Sequence, residues 1–314
     1  MPLKDFSILL GVIMIVIMLI IPLPTGVIDF LIIINITFAL LIILVSMNTK
    51  EPLQFSIFPT LLLLVTLFRL GLNVSTTRAI LGNQGNAGNV IDTFGDFVVG
   101  GNTLVGFVVF VILVIIQFIV ITKGAERVSE VGARFTLDAM PGKQMSIDAD
   151  LNAGMISDQE ARERRKKIED EADFYGSMDG ASKFVKGDAI AGIVIVIINM
   201  IFGLVIGMVQ EGLPVDEATN KYTLLTVGDG LVTQIPALLI ATATGIVVTR
   251  AASDGNLGAD ITKQLFAYPK MLYVAGGTIA GLGFFTPLDW FVTTTVASFL
   301  AVGALFMERG ANQQ

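Results

Sequence analysis

Three aspartates stand inside or at the edge of long apolar runs: Asp29, Asp188 next to Gly187, and Asp229 between Gly228 and Gly230. A carboxylate is costly to ionise in such surroundings, so it tends to hold a proton or a bare Na⁺ and to be functional. Arg69 closes another apolar run, and Arg78 follows nine residues later. The 314 residues contain no Cys and no His. That removes disulfides, thiolate and imidazole metal sites, Cys or Ser–His nucleophile pairs, and the one side chain that titrates unperturbed near pH 7. Proton chemistry here must run on carboxylates, helped by Lys, Arg or water.

The elements that must hold these residues follow from composition. Hydrophobic side chains make up 54% of the chain and charged ones 15%, with a mean hydropathy of +0.78. A soluble domain is about a quarter charged, so the chain reads as a membrane protein. The net charge of −7 lacks the basic patch of a nucleic-acid binder. A crossing helix needs about 20 apolar residues. Eight stretches qualify: 6–23, 27–47, 53–70, 99–122, 189–209, 222–249, 268–286 and 290–307. The first is too long for a signal-peptide core and no small-x-small site follows it, so it reads as a retained span. The expected fold is an all-α, eight-span polytopic bundle with a small cytoplasmic α-rich insert between spans 4 and 5. Its parts are 1–122, the insert 123–187, and 188–309, followed by a short tail at 310–314.

Orientation follows from loop charge. With the N-terminus cytoplasmic, Lys4, Lys50, the insert's eleven basic residues, Arg250, Lys263, Lys270 and Arg309 all lie inside, seventeen of twenty. Lys221 lies outside, beside Glu211, Asp216 and Glu217. Without the insert the balance is still six to one, which places both termini in the cytoplasm. The insert, from Lys123 to Lys186, carries 24 of the 47 charged residues. Ser157 and Glu160 form a capping box that opens a helix to about Tyr175, with Gly176 as its stop. Glu160–Arg164 and Glu163–Lys167 are i,i+4 pairs. Asp148, Asp150 and Asn152 resemble the start of a calcium loop, but Ala153 and Gln159 replace its Gly and bidentate Glu. No P-loop, dinucleotide fingerprint or zinc-protease motif is present.

Each buried charge also has a plain structural reading. Asp29 and Asp188 stand where helices begin and suit N-caps. Arg69, at the outer end of the third span, can snorkel. Asp229 lies too deep for a cap unless the sixth span breaks at its glycines, and a salt bridge to Arg69 or Arg78 would be structural. On the functional reading, Asp29 and Asp229 near the outer face and Asp188 near the inner one mark an inward ion path. Gln234 and Pro236 follow Asp229, and Pro frees a backbone carbonyl. Gly192, Gly203 and Gly207, and Gly276, Gly277, Gly281 and Gly283, suit close helix packing.

The block Arg69–Arg78 resembles the signature of the FlhA (FHIPEP) family of flagellar and virulence type III secretion export gates. Phe135–Met145, Phe174–Lys183, Lys186–Gly192, Leu225–Leu231 and Ile246–Arg250 are similar to the same family. The resemblance implies a bacterial inner-membrane protein that is not an enzyme and takes no cofactor. It would couple a proton (or sodium) motive force to protein export, in a ring that is usually nonameric. Implied partners are membrane lipid, the other membrane proteins of the gate, and the soluble export ATPase complex with its cargo chaperones. Asp188 matches the leading proton-site candidate. Arg69, Arg78, Lys183 and Asp229 match further charged positions tied to export. Independently of the resemblance, Lys183 and Lys186 would ease ionisation of Asp188 when close to it. Arg127, Arg134 and Asp138 match a partner-facing patch of the insert. Family members continue into a large cytosolic domain, so a chain ending at Gln314 resembles the membrane half, with 310–314 beginning the linker; cargo docking would then lie elsewhere. The rival expectations are a non-conducting anchor and scaffold, or a small-molecule transporter with paired broken helices at midplane.

Overall fold

A computed structural model describes residues 3–250 and 255–311. The chain forms two compact units, 1–252 and 253–314. In the first, α1 (Leu3–Ile20) and α2 (Thr25–Asn48) are followed by a 3₁₀ turn at Pro52–Phe55, then α3 (Phe58–Gly82) and the short α4 (Asn89–Val99). Helix α5 (Thr103–Ile116) passes through a π-helical turn, Gln117–Thr122, straight into α6 (Lys123–Asn152). Helices α7 (Asp158–Val209) and α8 (Val215–Thr249) complete the unit. The second unit holds α9 (Leu257–Leu265), α10 (Pro269–Phe285) and α11 (Trp290–Ala311). Among the described residues there is no strand, and the all-α membrane bundle is as expected from composition.

Among the described residues, seven helices are long and apolar enough to cross a membrane. The seventh expected span, 268–286, corresponds to α10, whose 17 residues rise about 25 Å. That is a few ångströms short of a typical hydrocarbon core of about 30 Å. Two other boundaries also move. The third helix does not end near residue 70 but runs to Gly82. Counting apolar residues stops at the first charge, and that charge is neutralised within the bundle. Nor does the insert's second helix stop at Gly176: α7 is continuous for 52 residues, with open space around Gly176. The insert is therefore the outward extension of α6 and α7, two helices rising directly from membrane-length segments. The Ser157 cap forms as expected, its hydroxyl accepting from the Glu160 N–H at 3.2 Å. Glu160 pairs with Arg164 at 2.8 Å, while Lys167 reaches Glu51 at 3.5 Å instead of Glu163. Asp148 and Asp150 lie in the last turns of α6, paired with Arg165 and Arg164, so no calcium loop forms there.

Helix α8 is the central post, in contact with α2, α3, α4, α5, α6 and α7. Its small residues make this crowding feasible. A Cβ on Gly228 would lie 2.1 Å from the Ile91 carbonyl oxygen of α4, and one on Gly230 would lie 2.1 Å from the Phe110 ring of α5. The two glycines around Asp229 thus let two helices close on the post, and α8 neither breaks nor starts late there. The distribution of polarity is inverted relative to a water-soluble protein. Large apolar side chains such as Phe30, Ile33, Leu104 and Ile119 face outward, while Arg69, Asn73, Asp188, Asn199 and Asp229 are buried. That pattern suits a lipid exterior, where packing and interior polar contacts hold helices together. In the second unit Gly276 and Gly283 of α10 face α11, but Gly277 and Gly281 face open space.

Two substitutions test this packing by thermal unfolding of the purified protein. Gly228→Ala is expected to destabilise by about 1–3 kcal/mol through overpacking against α4. Gly176→Ala should be neutral or stabilising by about 0.4–1 kcal/mol. A helix stop at Gly176 would instead make alanine destabilising there.

Candidate functional site: a buried polar seam

Three helices contribute polar side chains to one interior seam. On α3 these are Arg69, Asn73 and Thr76, at i, i+4 and i+7. On α7 they are Asp188 and Asn199, with Gly192 between. On α8 they are Thr226, Asp229 and Thr233. Each set follows helical spacing and so lies along one face of its helix. At one end Arg69 Nη2 meets Asp188 Oδ2 at 2.7 Å, with both side chains essentially sealed from solvent. Both lie inside their helices, so neither the N-cap reading of Asp188 nor the snorkelling reading of Arg69 holds. The pair leaves Arg69 Nε and Nη1 and Asp188 Oδ1 without protein hydrogen-bond partners. A groove of about 520 Å³ opens beside it, lined by Thr66, Leu70, Lys183, Phe184, Gly187 and Asp188.

Eleven residues along α7, about 16 Å of helix, Asn199 Nδ2 donates to Asp229 Oδ2 at 3.1 Å. Asp229 is 2% exposed, and among the described residues no Lys or Arg pairs with it. The Thr76 hydroxyl lies within hydrogen-bonding reach of the Asp229 carboxylate and also 3.0 Å from the Asn73 carbonyl, so its one hydrogen serves either acceptor. Thr233 bridges α8 to α3, its hydroxyl donating to Asn73 Oδ1 at 2.8 Å. Asn73 Nδ2, Asn199 Oδ1 and Thr226 Oγ1 are buried and unpartnered. A cavity of about 10 Å³, bounded by Asn73, Gly192, Val196, Asp229, Thr233 and Gln234, has room for one water. Pro236, just below, removes the N–H that the Val232 carbonyl would otherwise receive. A seam this rich in unsatisfied groups is unusual for a purely structural interior.

Asp29 serves a different element from its own helix. Its two oxygens accept the N–H groups of Asn89 and Val90 at 3.1 Å each, capping α4 from α2. The approach requires Gly88, whose φ is +105° and whose Cβ would lie 2.3 Å from Asp29 Oδ1. Asp92, in the first turn of α4, has its carboxyl pushed up by burial and then by the charges of Asp96 and Asp29. Arg78 is also a helix cap. It lies within α3 and donates to the carbonyls of Leu19 and Ile20 at 3.0 and 2.8 Å, at the end of α1. Lys183 pairs with Asp179 at 3.8 Å and Lys186 with Glu126 at 3.1 Å, so the cation on Asp188 is Arg69. Arg127, Arg134 and Asp138 are exposed on one face of α6, and both arginines engage Glu130. The residues read from sequence therefore divide into a seam (Arg69, Asp188, Asp229), two caps (Asp29, Arg78) and the membrane-external extension. Asn73, Thr76, Asn199 and Thr226 escape a reading that starts from ionisable residues. Their helical spacing from Arg69, Asp188 and Asp229 is the signal that reveals them.

A match to the FHIPEP family spans residues 15–314. The chain belongs to the FHIPEP family. It is 68% identical over 311 residues to the flagellar biosynthesis protein FlhA of Bacillus subtilis, covering 99% of this chain and 46% of that protein. It is 54% identical over 286 residues to FlhA of Salmonella typhimurium, covering 89% and 41%. The low calcium response locus protein D of Yersinia pestis is 50% identical over 308 residues, covering 98% and 44%. The chain thus spans about half the length of the curated relatives it matches. No solved structure matches it. In this FHIPEP chain the Arg69–Arg78 block has a physical account. Arg69 holds Asp188, Asn73 receives Thr233, Ser75 donates to the Met18 carbonyl at 2.9 Å, and Arg78 caps α1.

Removing one partner of a buried ion pair strands the other charge, at a cost of about 3–5 kcal/mol. Arg69→Ala is therefore expected to lower the unfolding temperature markedly. Arg69→Met combined with Asp188→Leu should restore most of the loss. A double variant no more stable than Arg69→Ala would show that the pair's charge is not what holds α3 to α7.

Proposed function

We propose that this chain is an integral inner-membrane component of the flagellar type III protein export gate. On this reading its α3–α7–α8 seam passes H⁺ or Na⁺ to couple the ion motive force to export. The supporting observation is the run of buried polar groups from Arg69–Asp188 to Asn199–Asp229, ending in a carboxylate with no cationic partner. A scaffold needs its buried charges paired. Asp229 instead offers an oxygen to a proton or a small cation, with a water-sized space beside it. Asp188 is the inner station, where an arriving cation competes with Arg69 for the carboxylate. Asp229 is the outer station. Asp29 holds α4 in place outside this path and contributes no ion ligand.

The orientation proposed has both termini in the cytoplasm, which puts the extension of α6 and α7 on the same side. The exposed face of Arg127, Arg134 and Asp138 then meets the soluble export ATPase complex and cargo chaperones. Lys186, through Glu126 at the foot of α6, ties that extension to the turn of α7 that carries Asp188. The exposed apolar faces meet lipid, the other membrane proteins of the gate, and neighbouring copies in a homo-oligomeric, nonameric ring. The chain acts with no cofactor and no nucleic acid, and it is not an enzyme. A second reading, a non-conducting anchor and scaffold, is favoured by one observation: Asp188 is closed on Arg69.

Ion flux through the purified protein in liposomes, followed with pH- and sodium-sensitive dyes under an imposed potential, separates the two. Asp229→Asn is expected to reduce flux to the protein-free level while the protein stays folded, and Asp188→Asn to do so at a lowered unfolding temperature, because Arg69 loses its partner. No flux in the parent would favour the scaffold, and flux equal to the parent in both variants would remove the two carboxylates from the ion path.

A further inference from the structure

The α8 end of the seam nearest Val215 is bounded by an apolar cluster that contains one aromatic side chain, Tyr222. Tyr222 lies seven residues before Asp229, so it stands on the same face of α8 about 10 Å away along the axis, with Thr226 between. It is fully buried. Its ring fills a notch cut into α7 by two glycines: a Cβ on Gly203 would lie 2.5 Å from its Cδ1, and one on Gly207 would lie 2.9 Å from its Cε2. The phenol donates to Glu211 Oε1 at 2.9 Å. Glu211 in turn holds Lys221 through Oε2 at 3.0 Å, and that ammonium sits 5.4 Å from the Tyr222 ring centre. Lys221 reaches solvent. Beneath the ring, Thr226 is fully buried with an unpartnered hydroxyl, and beyond it lies Asp229.

We propose that Tyr222 is a gate between solvent at the Glu211–Lys221 end and the seam beneath it, a device that rests on the ion-passing reading above. The ring is pinned by a hydrogen bond to a carboxylate in the loop, not by the helix that carries it. Movement of the Glu211 turn therefore frees the phenol, and the glycine notch beside it becomes a passage one ring wide. The two glycines have a reason beyond helix packing: any larger residue would push the ring out of the seam.

The chain contains no cysteine, so Thr226→Cys places a single thiol just beneath the ring. Thiol labelling of the full chain in liposomes by a membrane-impermeant maleimide reads the gate without reading flux. With Tyr222 in place the thiol should stay unlabelled. Tyr222→Ala should raise its labelling rate by about tenfold or more, and Tyr222→Phe, which keeps the ring but loses the Glu211 bond, should give an intermediate rate. Ala39→Cys, in the apolar core away from the seam, should stay unlabelled beside Tyr222→Ala. The proposal fails if Thr226→Cys is labelled as fast with Tyr222 as without it, if it stays unlabelled in Tyr222→Ala, or if Ala39→Cys is labelled as well. The last result would make the ring mere packing. Flux then tests the underlying reading separately: a leak through Tyr222→Ala that Asp229→Asn abolishes supports both. A leak indifferent to Asp229→Asn keeps the gate and removes the ion station.

Discussion

Hydrocarbon offers a polar group no partner, so every charge inside this bundle must be answered by another side chain, a proton or an ion. That constraint governs the unit built around α8. One charge, on Asp188, is answered by Arg69 across the α3–α7 contact. The other, on Asp229, is answered by the Asn199 amide and nothing cationic among the described residues. The two carboxylates of one seam therefore differ in kind, the first locked and the second open.

Packing makes that difference possible. Helices approach α8 from most directions, and glycines at 228 and 230 let α4 and α5 come close enough to seal Asp229 from lipid and bulk solvent. The same closeness makes the surrounding caps matter. Asp29 fixes the start of α4, and Arg78 fixes the end of α1. These two charges hold the wall of the seam and stand outside it. The continuity of α5 into α6, and of the extension into α7, leaves no loop between the polar extension and the membrane-length segments. The π turn at Gln117–Thr122 joins α5 to α6 and packs on α7 and α8.

Much of this was legible in the sequence. The apolar runs gave the all-α membrane class, but they suggested eight spans where seven helices among the described residues are long and apolar enough to cross. Asp188 and Asp229 stood out because an acid in an apolar run is expensive, and the Ser157 cap followed from a local pattern. What the sequence withheld was pairing. Arg69 and Asp188 are 119 residues apart, and nothing local says that the two meet, so each was read as a helix end. The same blindness shortened α3 at residue 70 and stopped α7 at Gly176. Within a bundle, a paired arginine and an unhindered glycine both continue a helix. Asn73, Thr76, Asn199 and Thr226 were invisible to charge counting, since their role lies in a shared face that appears only once three helices are brought together.

The central claim is that Asp229 changes occupancy inside a sealed seam. Infrared difference spectroscopy of the protein in oriented membranes, taken as an ion gradient is imposed and removed, observes that event directly. The account predicts a buried-carboxyl band that appears or shifts with the gradient and is lost in Asp229→Asn. A spectrum in which no carboxyl band responds to the gradient, or in which the same band persists in Asp229→Asn, would contradict it.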